Sequence, residues 1–551
     1  MKRDGKIGAI FAALILCLGI EGCGGGGTAS SSPPIVSIII SPSVVTVFSN
    51  GRQGFTATVT GTDNTAVRWS VQEGAAGGSI TSAGAYTAPQ AVGTFHVIAT
   101  SQADSTRSAM ASVTVPPVSV AITPETDTLG PSGQRTFVAT VGGTNNTAVV
   151  WSVQEGAAGG AIDANGNYVA PSAQGTFHVI VTSVADPTMS AIATTTVVPA
   201  GFTPTGSMAQ GRFDHTATLL SNGKVLVVGG GGFKSGDALA SAELFNPSDD
   251  TFAATGSMST ARLRHAATLL ADGKVLVTGG VDSSGQDLAS AELFDPATGT
   301  FNVTGYMGTA RTLHTGTLLA TEKVLVVGGD NGAGEGLGSA ELFDPTSGTF
   351  TATGTIVTVT GSESHTATLL STGKVLVGGG LAFVYGALSS AQLFDPTTGT
   401  FTATGSLTTE RTFHTATLLP DGRVIFIGGD DRHVVSLATA DLFGPSSGGF
   451  TGVGSMQTPR SFHTATLLPD GEVLVAGGIE SFGRTCEDCD PGVTLETAEL
   501  FNPADLNFNV TGGLGTARAH HTATLLQNGN VLVVGGFDNL GKTLASAELY
   551  H

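Results

Sequence analysis

The stretch RTFHTATLLPDGRVIFIGG spans residues 411–429 and decides the fold. Alone it has the parts of an active site: an arginine, a histidine three residues on, an apolar strand and a double glycine able to cradle an anion. It is not alone. Its histidine recurs as His215, His265, His314, His365, His414, His463 and His521, with gaps of 50, 49, 51, 49, 49 and 58 residues. A catalytic residue is normally needed once. A residue needed seven times serves the repeat that carries it.

Each repeat reads as four short strands. HTATLL leads through a tight turn, such as Asn222-Gly223 or Asp421-Gly422, into KVLVVGG. Residues that tolerate positive φ favour such a hairpin. A variable loop then leads to ASAELFDP, stopped by proline, and GTFTATGSM is the fourth strand. Four strands per unit with a double glycine resemble the kelch repeat of β-propellers. Where many kelch units have tryptophan before the fourth strand, this chain has Phe252, Phe301, Phe350, Phe401, Phe450 and Phe508. The sequence stops after a third strand and the array starts at FTPTGSM, a fourth strand with none before it. The resemblance therefore implies a seven-bladed kelch-type β-propeller over 202–551, closed by an N-terminal outer strand that removes exposed sheet edges.

The arginine returns as Arg212, Arg262, Arg311, Arg411, Arg460 and Arg518, but the fourth unit has Ser362. The acid of the third strand returns as Glu243, Glu292, Glu341, Asp441, Glu499 and Glu548, but the fourth unit has Gln392. One unit loses both charges together, which points to an Arg–carboxylate pair inside each of the others. Stranding one partner of a buried pair is costly, whereas removing both is close to neutral.

Upstream, NTAVRWSVQEGAAGGSITSAGAYTAP from Asn64 returns as NTAVVWSVQEGAAGGAIDANGNYVAP from Asn146. Trp69 matches Trp151, Tyr86 matches Tyr168 and His96 matches His178. Alternating apolar and polar runs split by turn residues predict antiparallel sandwiches. The two units, 35–116 and 117–199, resemble bacterial Ig-like (BIG2-like) domains. They lack the antibody cysteine pair, so tryptophan packing is expected to anchor the core. The expected fold is all-β: two tandem Ig-like β-sandwiches, then the propeller.

The first residues read as an export signal, 1–22. Lys2, Arg3 and Lys6 precede an apolar run from Ile7 to Ile20, too short to span a bilayer comfortably. IEGC resembles a bacterial lipobox, which implies lipidation of Cys23 and a membrane-anchored lipoprotein at the outer membrane or cell surface. Glu21 departs from the small residue usual there, which leaves ordinary cleavage and a secreted protein as the alternative. Residues 23–34, the lipidated cysteine and a Gly/Ser-rich stretch, read as a tether. Cys486 and Cys489, in CEDCD, are expected to form a small loop disulfide in an oxidising compartment; free thiols or half a metal site are the alternatives.

The net charge of −20 excludes an electrostatic attraction to nucleic acid, and only 12% of residues are charged. Function belongs where the repeats differ, in the loops after each double glycine. Phe233, Phe383, Tyr385, Phe482 and Phe537 offer apolar or stacking surface there; Asp330, Asp430, Asp431, Arg432 and His433 offer polar handles. The expected protein is a monomeric, non-enzymatic surface binder of glycan or protein, touching the membrane only through its lipid, with no cofactor and no metal. The alternative is a carbohydrate-active enzyme. The propeller also resembles the central domain of galactose-oxidase-like proteins, which hold copper with tyrosines and histidines and cross-link a tyrosine to cysteine. That site is disfavoured: the array has only Tyr306, Tyr385 and Tyr550, and its only cysteines are the CxxC pair.

Overall fold

The computed structural model describes residues 35–232, 237–332, 336–356, 362–382, 386–482 and 492–551. The leader, Cys23, the tether, Phe233, Phe383, Tyr385, Cys486 and Cys489 lie outside them. Among the described residues every extended element is a β-strand, and the only helical turns are the 3-10 turns Gly74–Gly77 and Gly156–Gly159. The chain divides into two compact units. One holds the first upstream repeat; the other holds Ser119–Gly142 and Asn146–His551.

In the first unit a four-stranded sheet orders Val44–Thr46, Ser108–Val115, Gly93–Ser101 and Val67–Val71. Tyr86 is fully buried and donates its hydroxyl to the Gly77 carbonyl at 2.6 Å. Phe55 packs on it edge-to-face. Trp69 is only partly buried, at the margin of this cluster. The tyrosine anchors the core because its one polar atom finds a carbonyl, so burial leaves nothing unsatisfied. The second repeat has the same arrangement around Tyr168 and Gly159. His96 and His178 bond Glu73 and Glu155 at 2.7 Å, tying the sheet to the 3-10 turn.

The second unit continues into seven four-stranded sheets. Sheets are numbered here by their first strand; sheet one is Thr216–Leu219, Val225–Val228, Ala242–Asn246 and Thr251–Ala254. The seventh orders Thr522–Leu525, Val531–Val534, Ala547–Tyr550 and then Phe202–Pro204, with Phe202 opposite Tyr550. First strands touch in turn, and Thr522–Leu525 touches Thr216–Leu219, so the ring is closed. Second strands such as Val225–Val228 are buried throughout, while fourth strands are mostly exposed.

The double glycines explain how neighbours approach. Gly229 has φ +63°, and a Cβ there would lie 2.6 Å from the Arg262 carbonyl oxygen and 2.7 Å from the His265 ring. Gly535 meets Arg212 and His215 in the same way, from sheet seven to sheet one. Only glycine accepts both the conformation and the contact. The seven histidines complete the seam. Each is buried, and its Nε2 meets a threonine hydroxyl of the preceding sheet, as His265 does with Thr216 at 2.9 Å and His215 with Thr522 at 2.9 Å. Burial first, then the nearby arginine, pushes the His215 pKa down to about 3, so these rings stay neutral at physiological pH.

The second upstream repeat meets the ring within the same unit. Asn530 Nδ2 donates to the Thr128 carbonyl at 3.2 Å, and Gln134 N donates to the Asn528 carbonyl at 3.2 Å. Asn528 lies in the hairpin turn of sheet seven and Asn530 directly follows it.

Candidate binding face

The arginines lie inside the sheets. Arg212 is fully buried; Nη1 donates to the carbonyls of Gly229 and Ser241 at 2.8 and 3.0 Å, and Nη2 to Glu243 at 3.0 Å. Glu243 also accepts the Ala209 N–H at 2.9 Å, so the ion pair is hydrogen-bonded on both sides. Arg262–Glu292, Arg311–Glu341, Arg411–Asp441, Arg460–Glu499 and Arg518–Glu548 repeat the pairing between 2.5 and 3.0 Å. In sheet four, Ser362 Oγ bonds the Gly379 carbonyl at 3.2 Å, taking one of the acceptors a guanidinium would occupy, and Gln392 fills the acid's buried position. These residues are buried within the sheets and hold them together.

The first strand begins where the second ends, so the segment before each repeated histidine meets the loop after each double glycine. Phe213 bridges Gly231, Thr412 bridges Asp430 and Ala519 bridges Phe537. The variable loops and the arginine-bearing segments therefore share one face.

At the centre of that face lies a feature the repeat pattern hides. The residue immediately before each repeated histidine is Asp214, Arg264, Leu313, Ser364, Phe413, Phe462 or His520. All seven have φ between 50° and 56°. That left-handed conformation costs a non-glycine residue about 1–2 kcal/mol. Backbone bonds between neighbours offset it. Arg264 N donates to the Asp214 carbonyl, Leu313 to Arg264, Ser364 to Leu313, Phe462 to Phe413, His520 to Phe462 and Asp214 to His520. The ring borders a cavity of about 470 Å³.

Its two sides differ. Asp214 accepts from His520 Nδ1 at 2.6 Å and from Arg264 Nε at 2.9 Å. Burial opposes the charged carboxylate, but His520 and Arg264 outweigh it and hold the Asp214 carboxyl far below its usual range. A carboxylate can only accept, so the bonded His520 Nδ1 carries the proton. On the other side Phe413 stacks on Phe462 at 4.1 Å and Phe462 on His520 at 4.0 Å. One wall is charged and one aromatic, which suits a ligand with a polar end on an apolar stem.

The loop candidates divide. Phe482 is 63% exposed, and its backbone bridges Val435 of the neighbouring loop. His433 is exposed, and Arg432 is exposed while pairing with Glu410 at 3.1 Å. Asp431 accepts the His433 and Val435 N–H groups, which shapes its own loop. Asp330 is half-buried and accepts the Asn331 N–H at 2.8 Å. Asp430 is a correction: it is buried, bonded to Ser436 Oγ at 2.8 Å, and burial raises its pKa, so it offers no open handle. Phe537 packs at 5.1 Å from His520 and 5.8 Å from Phe213, making it part of the ring's wall.

Residues 262–308 match the Kelch motif family. Among solved structures the chain is similar to a novel fungal alcohol oxidase of the AA5 family in complex with copper. The TM-score is 0.52 at 18% identity, covering 64% of this chain and 76% of that one. No curated protein matches. Motif and fold together support a kelch-type β-propeller. Among the described residues no three His, Cys, Asp or Glu side chains converge on a metal position. Tyr306 is 66% exposed, and the Tyr550 hydroxyl meets Thr511 at 2.9 Å.

Proposed function

We propose that the protein is an exported, lipid-anchored, non-enzymatic binding protein. Two Ig-like sandwiches hold a seven-bladed kelch propeller away from the membrane, and the axial face captures a protein or glycan. One observation carries this reading. Residues that keep their identity from sheet to sheet are spent on holding sheets together, while those that vary collect on one face around a cavity of about 470 Å³. The Kelch motif agrees with a binding role.

The test is a glycan array and a defined-peptide array probed with the full chain, with an Asp214→Ala, His520→Ala variant as control. Hits that vanish in the variant support the reading; silence on both arrays sinks it. A hydrolase or epimerase is the second reading. It rests on the Asp214–His520 contact, which orients an imidazole as a general base requires. Turnover of an array ligand, abolished by His520→Ala, would decide for it.

A further inference from the structure

The aromatic side of the axial cavity is a stack of rings. Phe413 covers one face of Phe462 at 4.1 Å and His520 covers the other at 4.0 Å, with interplanar angles of 30° and 18°. All three residues border the cavity. Phe462 therefore has no face to offer a ligand, and only its rim is open. An aromatic rim carries the positive part of the ring quadrupole, so its preferred partner is the electron-rich face of another ring. An ammonium, which needs a ring face, finds none on Phe462.

Across the ring, just before the first strand of sheet two, stands Arg264. Its side chain is 43% exposed and borders the same cavity. Nε donates to Asp214 Oδ2 at 2.9 Å, and among the described residues Nη1 and Nη2 have no hydrogen-bond acceptor. Asp214 Oδ1 is taken by His520 Nδ1 at 2.6 Å, so both carboxylate oxygens are engaged. A guanidinium anchored through Nε keeps two in-plane donors, the fork that a planar carboxylate fits. The acids within electrostatic reach of Arg264 are Asp214 and Glu363, and burial raises the Glu363 pKa, favouring its neutral form. The net charge of −20 is screened beyond about 10 Å at 0.1 M salt, so the groups at the cavity decide.

We infer that the axial cavity takes a carboxylate joined to an aromatic ring. The carboxylate sits on Arg264 Nη1 and Nη2, and the ring turns its face to the rims of Phe462 and His520. The inference rests on the binding reading above and names the chemistry of the ligand. Two sources carry that chemistry: the C-terminal phenylalanine or tyrosine of a protein partner, and a free aryl acid.

The test is calorimetric titration of the full chain with four probes. Two are phenylacetate and its neutral counterpart phenylacetamide. Two are a short glycine–serine peptide ending in phenylalanine, with its terminal carboxylate free or amidated. Each acid should bind about tenfold or more tighter than its amide, the scale of a lost charge-assisted contact. Arg264→Gln should weaken the acids similarly and leave the amides unchanged. Arg68→Gln, at an exposed arginine of the other unit, should change nothing. Tighter binding of the peptide acid assigns the site to a chain terminus, and tighter binding of phenylacetate assigns it to a free acid. Equal binding of acid and amide, no binding of either acid, or equal loss in both variants overturns the inference. Glycan hits alongside two silent acids would overturn it while leaving the binding function standing.

Discussion

Sheets four and five are neighbours built on one plan, and they solve the same burial problem in opposite ways. Sheet five buries Arg411 and Asp441 with no exposed side-chain surface. The guanidinium reaches the Gly428 and Thr439 carbonyls at 2.6 and 3.1 Å, and Thr408 Oγ1 donates to the carboxylate. Sheet four has neither charge, and Ser362 with Gln392 occupies the two positions. Both sheets belong to the same closed ring, so the ion pair is one way to satisfy this site and not a requirement of the fold. What a sheet cannot tolerate is half a pair, because a lone buried charge keeps its desolvation cost and loses its partner.

The largest predicted effect tests this asymmetry. Arg411→Met should destabilise by about 3–5 kcal/mol, since it strands Asp441. Adding Asp441→Gln should recover much of the loss, and the Arg411→Ser, Asp441→Gln variant, which copies sheet four, should be closest to wild type. Urea unfolding of the four members of the cycle measures it. Additive losses would mean that the two side chains do not act as a pair.

A second pair shows what the hydrogen bonds contribute. Arg135 Nε and Asp127 Oδ2 stand 3.4 Å apart in the second upstream repeat, nearly buried, and neither atom makes a hydrogen bond. Burial pushes the Asp127 pKa up to about 6; Arg135 opposes this, and Asp250 adds to it. The sign follows from the raised folded value. Below about pH 4 both states are protonated and the stabilising contribution is complete; as pH rises through about 6 it is lost. Asp127→Asn removes this dependence. Relative to wild type, the variant should gain up to about 3 kcal/mol between pH 4 and pH 7. A stability difference that stays flat across that window would show that Arg135 already compensates the carboxylate as the sheet arginines do.

Volume is exchanged between the same two sheets. Sheet four ends its second strand in Gly378, where sheet three has Val327 and sheet five Ile427. A Cβ at Gly378 would lie 2.9 Å from the Phe426 ring, and Phe426 stands where the other sheets have valine. Gly378→Ala should cost about 1–3 kcal/mol by overpacking. Phe426→Val in the same chain should recover it, as read from melting temperatures.

The strand order was legible because the double glycine recurs seven times, and the turn glycine and the proline that ends the third strand six times each. The Arg–acid pairs were legible because one sheet lost both partners at once. The axial ring was not. Asp214, Arg264, Leu313, Ser364, Phe413, Phe462 and His520 share no side-chain chemistry, so a search for recurring residues passes over them. Their signal was positional: a variable residue fixed immediately before an invariant histidine. Asp430 misled for the converse reason. Its loop is variable, but Ser436 six residues on turns the carboxylate inward, and sequence spacing does not show that turn. The tryptophans misled because their size suggested the core, whereas Tyr86 and Tyr168 are buried to the hydroxyl.

The smallest predicted effect tests whether compensation extends to a single hydroxyl. Sheet two has Ala266 where the other six have threonine, so the usual partner of the next histidine is missing. Thr278, directly across the strand pair from Ala266, supplies the hydroxyl instead and meets His314 Nε2 at 2.9 Å. Thr278→Val should leave the buried imidazole unpaired and cost about 1–2 kcal/mol. Ala266→Thr in the same chain restores the arrangement of the other six sheets and should return most of that loss. If Thr278→Val costs nothing, the histidines hold the ring by packing alone; if it costs and Ala266→Thr rescues it, the hydroxyl is needed and either of two strands can provide it.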